Sequence, residues 1–590
     1  GDGSGDIYLH AGAGALTLTQ TADAKGAQTT GGLVRLANSG AGNAITQSGS
    51  GIIIGSSLGV RSDGDVTLNL ATNDVGVLAA ALGSSGAALQ YRDASGFDVG
   101  SIAALTTFAQ TDGITTTSGD VLLQGAGNLS LANSIDAGSA TVRLFSTTGG
   151  VAQPGGGITA GTLGVNVPGT IELRGTNAVG TLAANTATSG AGIEFRNTGS
   201  GTLTVGTVGT LGQFLSTSGL VVTDADIAVN SAGAQVYTQD VTAGANAIRL
   251  SSGGGISQTA GEITGIALGV RANGTVDLPG NNDVVSFAAA NTGTGAGVTF
   301  HDINSLDVTN VGGIGSGLFN AVSGITTVDG NATLDVDSVL NINNAVALGA
   351  GTAILDSGGT INQTAPITAG SLGVTALGTV TLAHASNDVS NLSISTGIGD
   401  IRYVDLTGLT LTPVGSATNA LSTPDGDARI TAGGAIDVAG NVVMIGSGAG
   451  IVTFDTLGGG VTQSAGSIVA NELGVDANGA INLSRPDNDV DVFAANAQFG
   501  TGHDVAFVDT DDLAIGMPGE GDDLTPLLQC IVDNVPAPQV DAGGPLQAIV
   551  TNLDASDYLG RLAIGRVIRG TMRKGERVAL LDEEVVEGGK

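Results

Sequence analysis

The sequence has few of the residues from which large globular cores are built. Tryptophan is absent from its 590 residues, aromatic residues make up 3% and charged residues 12%. A compact domain of this length would lack the large side chains that normally fill a core. The single cysteine, Cys530, excludes an intrachain disulfide framework. No apolar run reaches the roughly 18 residues of a membrane helix, so no membrane span is predicted.

Positive charge is also scarce. The chain has 19 lysines and arginines against 53 aspartates and glutamates, which gives a formal net charge of −34. A surface with this balance repels nucleic acid and anionic lipid, so DNA is excluded as a partner of the main part of the chain. At 590 residues, the chain must be either a string of domains or one elongated repeat array.

Glycine and apolar residues are abundant, and they recur with a fixed period. Glycine accounts for 99 residues and apolar residues for 41%. This mixture is typical of many short strands joined by tight turns. A fixed period indicates a repeat architecture. A Leu-Gly-Val triplet appears five times, about 105 residues apart, starting at Leu58, Leu163, Leu268, Leu372 and Leu473.

Other positions keep the same phase as the triplet. A glutamine precedes it at Gln47, Gln153, Gln258, Gln363 and Gln463, and an asparagine follows it at Asn73, Asn177, Asn282, Asn387 and Asn488. An aromatic residue, with Asp or Asn two residues later, comes next at Tyr91, Phe195, Phe300, Tyr403 and Phe507. A further phenylalanine recurs in three copies, as Phe108, Phe214 and Phe319. We interpret the Asn and Asp positions as turn corners and the aromatic positions as buried.

The alternation of short apolar stretches with Gly, Asn, Asp and Ser predicts an all-β fold for residues 1–516. Separate β-sandwiches would need large core residues that these copies lack. A parallel β-helix, or solenoid, can instead exclude water with stacked columns of small apolar side chains. We therefore predict a solenoid of five repeats, with about five coils of roughly 20 residues in each copy.

The repeats resemble those of filamentous-haemagglutinin-like exoproteins. The resemblance rests on the period and on units such as GGITAGTLGVNVPGTIELRGTNAVGTLAAN at 156–185. It implies a right-handed β-helix that is exported to the bacterial outer surface or the extracellular medium. It also implies a non-catalytic role in adhesion or biofilm contact, with a host or cell-surface receptor or glycan as the partner.

Residues 517–590 have a different composition and predict a second domain. Apolar spacing in residues 524–535 indicates a short helix, and residues 545–550, 560–567 and 576–581 are predicted strands. The segments TPLLQCIVDNVPAP and GPLQAIVTNLDASDYLGRLAIGRVIRGTMRKGERVALL resemble the TypA/BipA family of translational GTPases. This resemblance implies a partial β-barrel, the family's domain 2, which contacts the ribosome in the cytoplasm.

The tail contains the one basic cluster of the sequence. It consists of Arg561, Arg566, Arg569, Arg573, Lys574 and Arg577. These residues are either a contact for ribosomal RNA phosphates or a barrel surface balanced by nearby acidic residues. No Gly-x-x-x-x-Gly-Lys-Ser/Thr phosphate loop exists in the chain, so GTP hydrolysis is not expected. We interpret the change near Gly516 as a junction between two unrelated proteins, a fusion or chimera.

No residue is assigned a catalytic, cofactor-binding or metal-binding role. The four histidines, His10, His301, His384 and His503, do not share one repeat phase. Carboxylate runs at 487–491 and 509–512 lack the ligand spacing of an EF-hand and are interpreted as solvated turns. A polysaccharide-active solenoid enzyme is the remaining alternative, and it would require acids and bases clustered on one face. The sequence therefore predicts no enzyme and no cofactor.

Overall fold

The computed structural model describes residues 5–20, 26–444, 450–498, 502–516, 543–556 and 560–579. Side chains of residues 551–556 and 560–564 lie outside this description. The chain divides into two compact units, Gly1–Gly519 and Glu520–Lys590. The described residues contain β-strands and no α-helix, so no helix of that part could cross a membrane.

The first unit is built from many short strands, which fall into five groups. The first group comprises β1 (Ile7–Ala11), β2 (Leu16–Leu18), β3 (Ala27–Gln28), β4 (Leu33–Asn38), β5 (Ile45–Gln47), β6 (Ile53–Ser62), β7 (Val66–Leu68), β8 (Asp74–Ser85), β9 (Leu89–Arg92), β10 (Phe97–Val99), β11 (Ser101–Ile102), β12 (Thr111–Asp112) and β13 (Ile114–Thr117). The second comprises β14 (Val121–Gly125), β15 (Leu129–Leu131), β16 (Ile135–Asp136), β17 (Thr141–Ser146), β18 (Val151–Ala152), β19 (Ile158–Val167), β20 (Ile171–Thr186), β21 (Ile193–Asn197), β22 (Leu203–Val205), β23 (Thr207–Val208), β24 (Thr217–Ser218) and β25 (Leu220–Val221).

The third and fourth groups of strands come next along the chain. The third comprises β26 (Ile227–Ser231), β27 (Gln235–Tyr237), β28 (Val241–Thr242), β29 (Ala247–Ser252), β30 (Ile256–Gln258), β31 (Ile263–Ala272), β32 (Val276–Thr294), β33 (Val298–Asp302), β34 (Leu306–Val308), β35 (Asn310–Val311), β36 (Val322–Ser323) and β37 (Ile325–Val328). The fourth comprises β38 (Ala332–Val336), β39 (Leu340–Ile342), β40 (Val346–Ala347), β41 (Thr352–Ser357), β42 (Ile361–Gln363), β43 (Ile367–Ala376), β44 (Val380–Leu382), β45 (Asp388–Thr396), β46 (Ile401–Asp405), β47 (Leu409–Leu411) and β48 (Leu421–Ser422).

The fifth group is the last of the first unit, and two further strands belong to the tail. The fifth comprises β49 (Ala428–Ala432), β50 (Ile436–Val438), β51 (Val442–Val443), β52 (Ile451–Thr456), β53 (Val461–Gln463), β54 (Ile468–Ala477), β55 (Ile481–Leu483), β56 (Asp489–Ala497), β57 (Val505–Phe507) and β58 (Ala514–Ile515). The tail strands are β59 (Gln547–Ser556) and β60 (Gly560–Arg569).

The strands of the first unit stack in parallel as a β-solenoid of about 23 turns, which confirms the predicted fold class. Alternating side chains point inward, as in Thr141–Ser146, where Val142, Leu144 and Ser146 are buried and the residues between them are partly exposed. Inward Val, Leu and Ile side chains form one continuous apolar core along the stack. Each coil covers the apolar face of its neighbour, as predicted from the lack of large core residues.

Successive copies are rotated by half a turn about the stack. Nine successive strand pairings lead from β6, which contains Leu58, to β31, which contains Leu268, and nine lead from β19, which contains Leu163, to β43, which contains Leu372. Two copies therefore occupy nine coils, where the sequence had predicted about ten. Leu58 and Leu268 share one side of the stack, whereas Leu163 and Leu372 share the other.

The described part of the second unit is an antiparallel hairpin. Its strands β59 and β60 pair from Gln547 opposite Arg569 to Ser556 opposite Gly560. Lys574 and Gly575 form the predicted turn. The predicted third strand is not formed over 576–579, where the backbone makes no ladder, and its last two residues lie outside the described part. The helix predicted at 524–535 also lies outside it.

Candidate functional site

The recurring glutamine and asparagine form a buried hydrogen-bond clamp between coils. In the third copy, the Asn282 amide donates to the carbonyl oxygens of Leu278 and His301, both at 3.1 Å. Its Oδ1 accepts from the Ile263 amide at 3.0 Å and from Gln258 Nε2 at 2.8 Å. The same asparagine is fully buried in all five copies: Asn73, Asn177, Asn282, Asn387 and Asn488. These side chains bond backbone groups, as predicted for turn corners, and they do so across coils while fully buried.

The acidic or amide residue that follows each aromatic residue has a similar interior role. It accepts a backbone amide from the preceding coil, as Asp93 does from Val75 at 2.9 Å and Asp302 from Val284 at 2.9 Å. Burial raises the pKa of Asp302 to about 6, against the effect of its backbone hydrogen bonds. Phe300 is fully buried beside it, as are Tyr91, Phe195 and Tyr403, whereas Phe507 is only partly buried, so the predicted burial is confirmed in four of the five copies.

In the described part of the first unit, three antiparallel hairpins lie against the outer face of the solenoid. We call residues 101–112, 207–218 and 310–323 the flaps. Each flap places its phenylalanine over the glycine of the Leu-Gly-Val triplet. A Cβ on Gly164 would lie 2.6 Å from Phe214 Cζ, and a Cβ on Gly269 would lie 2.8 Å from Phe319 Cζ. Only glycine therefore lets the flap pack this closely, which gives a physical reason for the central residue of the triplet.

An arginine attaches each flap to the solenoid. In the third copy, Arg249 lies beside Gly269 in the ladder and donates from Nε to the Gly312 carbonyl oxygen at 2.8 Å. Its NH1 pairs with Asp226 at 2.8 Å. Arg35 and Arg143 hold the other two flaps through the same type of contact. The sequence analysis missed the regular spacing of these three arginines, although the chain has only 19 basic residues.

The fourth copy replaces the flap with a shorter loop. Ile354 takes the place of the arginine beside Gly373. A Cβ on Gly373 would lie 3.0 Å from Ile354 Cδ1 and 3.2 Å from the Val414 carbonyl oxygen. An open groove of about 490 Å³ remains beside this loop, and polar side chains such as Asn331 and Asn391 line it.

The basic residues of the tail lie on the hairpin and the turn that follows it. Arg566, Arg569, Arg573, Lys574 and Arg577 are exposed. Arg561 pairs through its backbone with Ala555, and its side chain lies outside the described part. The Arg573 amide donates to Glu576 Oε2 at 3.2 Å, so the turn also carries a carboxylate. Both interpretations of the cluster stay open.

One histidine meets carboxylates on the solenoid surface. Ligand atoms of His301, Asp335 and Asp337 all lie within 4.8 Å of one another. His301 Nδ1 lies 3.0 Å from the Gly280 carbonyl oxygen, and Nε2 lies 3.5 Å from Asp337 Oδ1. Burial lowers the pKa of His301, but the hydrogen bonds to Gly280 and Asp337 and the charge of Asp335 outweigh it, so the net shift is upward. The sequence analysis assigned His301 no metal-binding role, and the group arises because His301 and Asp335 lie in register on neighbouring coils.

The other histidines lie in different surroundings. His10 stacks on Tyr8, His384 Nδ1 accepts from the Ser386 amide at 3.2 Å, and His503 contacts the Gln498 carbonyl oxygen. Among the described residues, only the His301 group brings three potential metal ligands together. In the carboxylate runs, Asp487 and Asp511 are exposed, as expected for solvated positions.

Comparison with known proteins finds similarity over a small part of the chain. The large ribosomal subunit assembly factor BipA of Salmonella typhimurium is 39% identical over 106 residues, which are 18% of this chain and 16% of that protein. The same factor from Synechocystis is 46% identical over 65 residues, 11% of each chain, and that of Bacillus subtilis is 45% identical over 62 residues, 10% of each chain.

The chain thus spans about a sixth or less of the length of the curated relatives it matches. No family model matches the chain, and no solved structure matches it. The similarity supports a two-part sequence in which a β-solenoid accompanies a BipA-like segment.

Proposed function

We propose that the first unit is a non-catalytic structural protein of the bacterial surface, similar in role to filamentous-haemagglutinin-like adhesins. The observation that carries the proposal is the contrast between inward and outward positions. The inward asparagine of the clamp is the same in five copies, whereas the outward residue after each aromatic changes: Arg92, Arg196, His301, Val404 and Val508. Such a chain keeps a constant scaffold and presents a surface that differs from coil to coil.

The surface contains features suited to contact with a receptor or glycan. Leu377 and Ile398 lie on neighbouring turns, joined by an Ile398 amide to Leu377 carbonyl bond of 2.7 Å, and they are 57% and 58% exposed. The groove of the fourth copy adds polar side chains on the outer face. Exposed apolar turns and an open surface groove favour a binding surface over a catalytic cleft.

Protease treatment of intact bacteria that express the chain tests the proposed location. Peptides from residues 26–444 should be released from whole cells, while a cytoplasmic protein in the same cells stays intact. Release of those peptides only after lysis would contradict the proposal.

A second candidate function is ribosome association through the tail, and the BipA similarity favours it. The exposed Arg566 and Arg569 would contact RNA phosphates. Ribosome co-sedimentation of the full chain should then be lost in Arg566→Glu with Arg569→Glu and weakened by salt. The matched control is Arg402→Glu with Arg429→Glu, which makes the same charge change on the exposed solenoid surface. Equal sedimentation of all three proteins would contradict this candidate.

Long-read sequencing of the gene across the codon for Gly516 determines whether the two candidate functions belong to one polypeptide. One uninterrupted reading frame would mean that both segments act within one polypeptide. Two separate genes would restrict the surface proposal to the repeats and the ribosome proposal to the tail.

A further inference from the structure

We propose that His301, Asp335 and Asp337 form a binding site for a divalent transition metal ion of the zinc class. The three residues lie on neighbouring coils, where His301 of β33 is paired in register with Asp335 of β38. Asp337 follows β38 and is 36 residues from His301 in sequence. The stacking of coils therefore assembles the group on one outer face.

The hydrogen bond to Gly280 sets the tautomer of His301. A carbonyl oxygen can only accept, so Nδ1 carries a proton in the 3.0 Å contact with Gly280. The neutral imidazole then presents the Nε2 lone pair to the outside. A histidine that donates one ring N–H to a carbonyl and offers the other nitrogen is the usual arrangement of a metal ligand.

The contact between Nε2 and Asp337 requires a cation. The carboxylate of Asp337 is an acceptor, and its Oδ1 lies 3.5 Å from Nε2. Two lone pairs at this distance repel unless a proton or a metal ion lies between them. No arginine or lysine pairs with Asp335 or Asp337 among the ion pairs of the described residues. Protonation of Nε2 meets the requirement in the absence of metal, and a metal ion would replace that proton.

The distance between the His301 and Asp337 ligand atoms fits a tetrahedral ion. Zinc binds histidine nitrogen and carboxylate oxygen at about 2.0–2.2 Å, so two tetrahedral ligand atoms lie about 3.3–3.6 Å apart. The observed 3.5 Å between Nε2 and Oδ1 falls in that interval. One imidazole with two carboxylates favours zinc, cobalt or manganese over calcium, which prefers oxygen ligands alone.

The next coil adds a further carboxylate. Asp356 of β41 pairs in register with Asp335. Carboxylates on adjacent strands of this face therefore repel one another. A bound divalent ion would reduce that repulsion.

The second copy provides a natural comparison for the same coil position. Arg196 occupies the place of His301, and it pairs in register with Asn230, which stands where Asp335 does. The solenoid thus accommodates an arginine and an asparagine at these positions. His301→Arg and Asp335→Asn therefore remove the ligands with residues that the fold already accepts.

Calorimetric titration of the chelator-treated full chain with zinc chloride tests the site. We expect one tight site per chain that His301→Arg and Asp335→Asn each weaken by at least about 10- to 100-fold, the cost of losing even an outer partner of a metal ligand. His384→Ala, the matched control, should leave that site unchanged. Cobalt should bind the same site and give a visible spectrum of tetrahedral type, which a structural role of these residues would not produce.

Three results would overturn the proposal. The first is the absence of stoichiometric zinc binding to the native chain. The second is equal zinc affinity in His301→Arg, which would place the ion elsewhere, for example on the carboxylate run at 487–491. The third is displacement of zinc by equimolar calcium, which would indicate a diffuse oxygen site. Thermal unfolding of each variant, followed by circular dichroism, excludes loss of fold as the cause of lost binding.

Discussion

In the third and fourth copies, different structures cover the glycine of the Leu-Gly-Val triplet. In the third copy, Phe319 packs over Gly269, and Arg249 ties the flap to the solenoid. In the fourth, Ile354 stands in the arginine position. The loop around Val414 then covers the glycine without a phenylalanine. The arginine and the phenylalanine are lost together, which indicates that they act as one unit.

The interior of these two copies shows no such difference. Asn282 and Asn387 are both fully buried, and each takes a hydrogen bond from the glutamine of its clamp. Coil stacking therefore imposes the same residues on the interior of both copies, whereas the structure that covers the outer glycine can differ from copy to copy. Hydrogen exchange followed by mass spectrometry can test this copy by copy, because repeat arrays unfold locally.

The largest effect is expected from breaking the clamp. Asn282→Ala leaves the Ile263 amide and the Leu278 and His301 carbonyl oxygens without their partner. Each buried unpaired group costs about 1–3 kcal/mol, so the loss of three partners should lower the local stability by about 3–9 kcal/mol. Asn387→Ala should cost the same amount in the fourth copy. Unequal losses in the two copies would contradict a uniform interior.

A smaller loss of stability is expected from truncating the side chain that packs over the triplet glycine, Phe319 in the third copy and Val414 in the fourth. Phe319 is 2% exposed, and Phe319→Ala should cost about 3–5 kcal/mol of local stability. Val414→Ala should cost about 1 kcal/mol, since fewer buried carbon atoms are removed. The protection of amides in residues 310–323 and 412–415 measures both. Similar losses would mean that the two covers are equivalent.

The next largest loss of stability is expected from replacing the triplet glycine that lies beneath the flap or loop. Gly269→Ala should cost about 1–3 kcal/mol, because its Cβ would overlap the Phe319 ring. Gly373→Ala should cost less, since its nearest neighbour is the flexible end of Ile354 at 3.0 Å. The double variant Gly269→Ala with Phe319→Ala should be less destabilised than the sum of the two changes. Additive losses would show that contact with the Phe319 ring is not the reason for a glycine at position 269.

The smallest effect concerns the charge of Asp302. The second copy has Asn197 at this position, and it accepts from the Val179 amide at 2.9 Å. A carboxyl whose pKa is raised on folding binds its proton more tightly in the folded state. Stability therefore falls as the pH rises from about 4 through the folded pKa of about 6.

Asp302→Asn should remove this pH dependence and stabilise the third copy by about 1 kcal/mol at pH 7. Thermal unfolding at pH 4 and pH 7 measures it. Asn197→Asp, the reverse change, should introduce the dependence in the second copy. A stabilisation by Asp302→Asn that is equal at both values would contradict a role for the charge.

Much of the interior could be predicted from the sequence. The positions of Gln258, Asn282 and Phe300 recur in phase because every coil imposes the same inward requirement. The solenoid and the buried aromatic residues followed from that phase; the solenoid is confirmed, and so is the burial in the first four copies. The partners of Asn282 could not be predicted in the same way, since they depend on which residues of neighbouring coils lie in register.

The half-turn between copies and the His301 group were not predicted, for one shared reason. Coil length varies: the pairing of Leu58 with Leu78 spans 20 residues, but that of His301 with Asp335 spans 34 because a flap intervenes. A repeat length alone does not reveal how many coils it contains. The flap arginines did leave a signal, since Arg35, Arg143 and Arg249 are about 105 residues apart.

Electron microscopy of the isolated chain tests the stacking of coils most directly. About 23 turns at a strand spacing of about 4.8 Å give the first unit a length of about 110 Å. We predict particles whose first unit is an unbroken rod of that length, with no constriction between copies. Five separate globules, one for each copy, would contradict the continuous core.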